Sequence, residues 1–123
     1  MSCILLFHVN IFKEARIRAL CEDLGIEVRV IPDQDGHKTI GAIAGLPETA
    51  AHRDGKSAKP VPFTEEMMVF CAMESDLLDR FLTQYRSREI SPIGLKAVLT
   101  PYNARWTPGR LCAELKKEQQ SLG

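Results

Sequence analysis

Residues 95–118 read LKAVLTPYNARWTPGRLCAELKKE, and the fold is legible outward from them. KAVLT at 96–100 is a short apolar run with strand character, and Pro101 stops it. Pro101, Tyr102 and Asn103 then supply turn chemistry, with Asn103 able to close an Asx-turn. Thr107 is placed as the N-cap of a final helix, Pro108 at its first turn, and Trp106 to staple onto Leu111. Leu111, Cys112 and Leu115 recur at helical spacing and form the buried stripe of that helix. Its polar tail, residues 116–123, is expected to fray.

The same grammar runs upstream. MMVFCAM at 67–73 reads as a strand covered on both faces. Ser75 is placed to cap the next helix, with Asp76 and Asp79 near its positive end. Leu77, Leu78, Phe81, Leu82 and Tyr85 lie on one face of that helix. In the first half, CILLFHV at 3–9 is a second fully apolar strand, and Asn10 is a good N-cap. Ile17, Leu20, Cys21 and Leu24 share a helix face, and Gly25 closes the helix. EVRVI at 27–31 alternates, as an edge strand does. Pro32 ends it, and DQDG at 33–36 is a turn. Residues 39–46 suit one or two helical turns. Residues 47–62 are polar and rich in Gly, Lys, Ala and Pro, and read as a flexible surface loop.

The order is thus β-α-β-(short α)-β-α-β-α in a single α/β domain over residues 1–123. Two topologies fit a four-stranded sheet whose first and third strands are central. One is a parallel sheet in order 2-1-3-4 with helices on both faces. The other is a ferredoxin-like α+β sandwich in order 4-1-3-2. The join between strands two and three runs about 35 residues, long for a hairpin and ample for a crossover, which favours the parallel sheet. No internal repeat stands out in the residues, only a loose echo of two βαβ halves.

Composition narrows the partners. Sixteen basic and sixteen acidic residues give zero formal net charge, which argues against nucleic acid and leaves self-association open. No apolar run reaches the length of a membrane span, and the run at 3–7 lacks the basic flank of a signal peptide. Cys3, Cys21, Cys71 and Cys112 each sit in an apolar segment without a CxxC pair. They read as buried free thiols of a cytoplasmic protein.

The MVF-type strand at 68–70, the Leu-rich helix after it, KAVLT, Asn103, Trp106 and the Glu/Lys-rich last helix form one pattern, KAVLT-P-x-N-x-x-W at its centre. Over roughly the last 60 residues this pattern resembles a bacterial family of small proteins known only as a domain of unknown function. The resemblance implies a bacterial protein and brings no activity with it.

Chemistry is thinly signalled. Ligands of open α/β sheets bind beyond strand C-terminal ends. That marks His8 and Asn10 after the first strand, and Thr100, Tyr102, Asn103 and Arg105 after the last. Trp106 is either a platform there or a structural staple. His8 could pair with Glu74 for acid–base work if strands one and three run side by side. No Gly-rich phosphate loop follows the first strand, and no GxSxG occurs. Asp33, Asp35, His37, His52 and Asp54 lack calcium-loop or zinc spacing, so neither a metal nor a cofactor is expected. These features favour a non-enzymatic regulatory or protein-interaction module with no assigned catalytic residue. The alternative is a small-ligand or anion-binding protein, enzymatic or not, with its site at His8, Asn10, Thr100, Asn103 and Trp106.

Overall fold

The computed structural model of the chain describes residues 2–46 and 61–122. Most of the loop expected at 47–62 therefore lies outside the described residues. The elements are β1 (Cys3–Phe7), α1 (Ile11–Leu24), β2 (Glu27–Val30), α2 (Ile40–Ala44), β3 (Met67–Cys71), α3 (Ser75–Ser87), β4 (Leu95–Val98) and α4 (Pro108–Leu122). Short 3-10 turns at Asp33–Asp35 and Asn103–Arg105 precede α2 and α4.

The strands form one mixed sheet in order β2-β1-β3-β4. The expected order is present, but the sheet is not parallel throughout. β1 runs parallel to β2 and β3 parallel to β4, while the central pair β1–β3 is antiparallel. Nor is it ferredoxin-like, because β2 pairs with β1 and not with β3. The physical reason is plain. A strand covered on both faces reads as continuously apolar whichever way its neighbour runs, and a long connection can return the chain in either direction.

Alternate residues of the central strands feed two cores. Ile4, Leu6, Met68 and Phe70 pack with Ile17, Leu20 and Cys21 of α1 and with Phe81 and Tyr85 of α3. Cys3, Leu5, Phe7, Met67, Val69 and Cys71 pack with Ile40 of α2 and with Leu111 and Cys112 of α4. One face therefore carries α1 and α3, the other α2 and α4.

The two halves repeat each other in detail. His8 (φ 60°) and Ala72 (φ 55°) both turn left-handed one residue past a central strand. Gly25 (φ 72°) and Glu89 (φ 55°) do the same past α1 and α3. Ile26 N–H donates to Cys21 C=O, and Ile90 N–H to Tyr85 C=O. Thr39 and Thr107 cap α2 and α4 through their hydroxyls. At the centre Leu5 faces Val69, its own counterpart in the repeat. The local dyad thus passes through the middle of the sheet.

The helix starts largely follow the expected chemistry. Asn10 Oδ1 accepts from Lys13 N–H at 2.9 Å, and Thr107 Oγ1 from Arg110 N–H at 3.4 Å. Trp106 packs on the second core beside Leu111, with the Arg110 guanidinium 4.7 Å from its ring centroid. Ser75 does not cap α3: it is the first helical residue, and the N-cap position is Glu74, which makes no side-chain cap bond. The last helix continues to Leu122.

Candidate functional site

The antiparallel centre decides where strand ends lie. β1 and β2 end at one edge of the sheet, β3 and β4 at the opposite edge. His8 and Asn10 are therefore separated from Thr100, Asn103 and Trp106. Glu74, just past β3, lies at the far edge from His8, so that pair does not form.

At the β1–β2 end a cleft of about 410 Å³ opens, lined by Phe7, His8, Pro32, Asp33, Phe63 and Pro108 among others. Its own backbone and two neighbours position His8. The left-handed turn after β1 swings its backbone out of the strand, a conformation unusual for a residue with a Cβ. Its Nδ1 stands 3.4 Å from Asp33 Oδ1, and its ring meets Phe63 edge-on at 4.6 Å between centroids. The imidazole is mostly covered whereas the Asp33 carboxylate is mostly in solvent (24% and 84% exposed), so the pair spans the cleft wall from inside to mouth. The 3-10 turn that begins at Asp33 is closed by Gly36 N–H donating to Asp33 C=O at 3.0 Å.

Phe63 is placed by a close approach. The start of α4 lies against the carbonyl of Val61, and a Cβ at Gly109 would stand 1.8 Å from that oxygen. Only glycine lets the helix and the 61–63 segment touch there. Phe63 is thereby held between Phe7 and His8.

The other expected site residues have structural duties. Asn10 spends its side-chain oxygen on the α1 cap, and its N–H donates to Glu66 Oε2 at 3.4 Å. Asn103 is buried. Its Oδ1 accepts from Thr100 N–H and its Nδ2 donates to Val98 C=O, while Thr100 Oγ1 accepts from Asn103 N–H. That closed loop builds the turn into α4. Thr100, Tyr102, Asn103 and Trp106 do share a shallow depression of about 350 Å³ beside β4, with Tyr102 and Trp106 rings 5.7 Å apart. Local sequence pattern does not mark Asp33 and Phe63 as partners of His8. The available signal is that Asp33 comes three residues past the end of the strand beside β1.

All four cysteines are free and buried. Burial pushes the Cys21 and Cys71 thiols up to about 12 and Cys112 to about 11, and raises Cys3 as well. None is poised as a thiolate nucleophile. Among the described residues no group of three or more His, Cys, Asp or Glu side chains could hold a metal ion, and no helix is long and apolar enough to cross a membrane.

Residues 66–122 match a family described as a domain of unknown function (DUF3783). The match starts one residue before β3 and ends with α4, so it covers the second half of the fold and not the first. No curated protein and no solved structure matches the chain.

Proposed function

We propose that the chain is a non-enzymatic regulatory module that takes a small ligand in the cleft at His8 and Asp33. The observation that carries this reading is the cleft itself. It is concave, largely apolar and aromatic, and holds one imidazole and one carboxylate in contact, which is the usual make-up of a small-ligand site. The elevated thiols favour binding over covalent turnover. An interaction surface lies next in sequence: Ile11 and Phe12, on the first turn of α1, are 71% and 79% exposed. A ligand that orders His8 would act on the turn that leads into them.

A second reading is acid–base catalysis by the pair, since an imidazole held by a carboxylate is the usual arrangement for proton transfer. The reading takes the protein as bacterial and cytoplasmic, where free thiols persist, with no hold on nucleic acid at zero net charge.

Thermal-shift screening of the chain against a broad panel of metabolites tests the reading. A ligand at 100 times its Kd should stabilise the fold by about 2.7 kcal/mol. The shift should disappear in His8→Ala and Asp33→Asn, and the ligand should be recovered chemically unchanged. A panel without a hit, or hits indifferent to both substitutions, would overturn it. A ligand recovered as product would select the catalytic reading.

A further inference from the structure

The repeat is broken at one place on the α1–α3 face. In the first half the chain passes from Ile26 directly into β2 at Glu27, whereas in the second it passes from Ile90 through Ser91, Pro92, Ile93 and Gly94 before β4 begins at Leu95. Each of those four extra carbonyls accepts a hydrogen bond from a side chain of a different element. Tyr85 Oη of α3 donates to Ser91 at 2.7 Å, and Lys13 Nζ of α1 to Pro92 at 3.1 Å. Lys96 Nζ of β4 donates to Ile93 at 2.8 Å, and Gln119 Nε2 of α4 to Gly94 at 2.8 Å. The insertion is pinned from four sides and forms a rigid wall.

Between that wall and α3 lies a cleft of about 330 Å³, separate from the one at His8. Its lining is Met68, Phe81, Leu82, Tyr85, Pro92 and Ile93, with Arg86 and Lys96. Met68, Phe81 and Ile93 are core residues, so the floor is dry and apolar. The Tyr85 hydroxyl is already spent on Ser91. Charge in the cleft comes from the two cations. Among the described residues the Arg86 guanidinium has no hydrogen-bond or ion-pair partner, and Lys96 donates only to a neutral carbonyl. The nearby carboxylate, Glu66, is taken by Lys13 Nζ at 2.5 Å. Their counterparts in the first half, Glu22 and Val28, provide no such pair of cations.

We infer that this cleft binds an amphipathic carboxylate: an alkyl chain of medium length, or a single aromatic ring, carrying one anionic head. The tail would lie on Leu82 and Pro92, directly above the buried Met68, Phe81 and Ile93, and the head between Arg86 and Lys96. A guanidinium suits a carboxylate because its planar fork matches the two oxygens. A wall fixed before binding spares the cost of ordering it. The inference is independent of the reading at His8.

The probe is octanoate, titrated into the full chain labelled at its Met and Ile methyl groups, with octanol and octylammonium in parallel. Octanoate should bind saturably at one site, moving the Met68 and Ile93 methyl resonances and leaving the His8 ring signals in place. It should bind at least tenfold more tightly than octylammonium. Arg86→Gln, an exposed substitution that leaves the wall intact, should weaken octanoate several-fold and leave octanol unchanged, and adding Lys96→Gln should weaken octanoate further. Absence of saturable shifts at Met68 and Ile93, equal binding of the cation, or an unchanged affinity in Arg86→Gln would each overturn the inference.

Discussion

The half made of β1, α1, β2 and α2 and the half made of β3, α3, β4 and α4 trace the same path with largely different side chains. Identity survives at Ile26 and Ile90, a helix exit, at Thr39 and Thr107, a helix cap, and at Arg16 and Arg80, Val30 and Val98, and Gly41 and Gly109. Elsewhere the halves diverge. The first has a buried lysine on α1 where the second has Leu77, and a glycine at the α1 exit where the second has Glu89. Its α2 has five residues where α4 has fifteen. Both candidate clefts sit at departures from the repeat. One uses His8 where the second half has Ala72, and the other uses the inserted wall. The left-handed backbone at His8 is thus a requirement of the fold, shared with Ala72. Its imidazole is what the first half has added.

Three tests press on this comparison. The largest effect is expected at Lys13, which is 8% exposed and bonded to Glu66 and to the Pro92 carbonyl. Lys13→Leu copies the second half but leaves Glu66 Oε1 and that carbonyl unpartnered, and should cost about 2–3 kcal/mol in urea denaturation. Adding Glu66→Gln should recover part of the loss. A neutral single substitution would show that the insertion does not depend on α1.

Next comes the helix exit. Glu89 adopts φ 55° with a side chain, whereas Gly25 meets the same need without one. Glu89→Gly should stabilise the fold by about 1 kcal/mol, and Gly25→Ala should destabilise it by a similar amount, both seen as opposite shifts in Tm. Equal signs would mean that the two exits are not equivalent.

The smallest effect concerns the extension of α4, which α2 lacks. Lys116 Nζ lies 2.6 Å from Glu65 Oε2, and this hydrogen bond holds the Glu65 carboxyl down at about 2, against an ordinary 4.5. Because the folded pKa is lowered, the stabilisation is present above about 4.5 and fades as pH falls towards 2. Both groups face solvent, so the effect should be slight. Denaturation midpoints measured down that range should fall less in Glu65→Gln than in the unaltered chain.

Much of the fold was legible in the sequence because local signals agreed. Asn10, Thr107 with Pro108, and Gly25 marked helix boundaries by their backbone and hydrogen-bonding needs, and the apolar runs at β1 and β3 marked the central strands. Strand direction was not legible, since burial on both faces erases the alternation that would reveal it. The repeat was hidden too, because backbone geometry and joints carry it while the core residues have changed, Ile17 to Phe81 and Cys21 to Tyr85. His8 was legible as a candidate by its place after β1. Its partner was not, although the expected order already set β2 parallel beside β1, because Asp33 reads as part of a turn. Thr100 and Asn103 stood out through chemistry that serves the turn itself.

Leu5 opposite Val69 has one more consequence. A strand paired with its own counterpart is the contact that two copies of one half would make in an isologous dimer. Each half alone has two strands, and its central strand would present an unpaired edge to water. Carrying both on one chain makes their meeting intramolecular, so it no longer depends on protein concentration. It also lifts the symmetry constraint. In a true dimer every substitution appears twice, and a wedge such as residues 91–94 would have to be accommodated at both ends of the sheet. Here it is accommodated once, which leaves the other end free to build a different site.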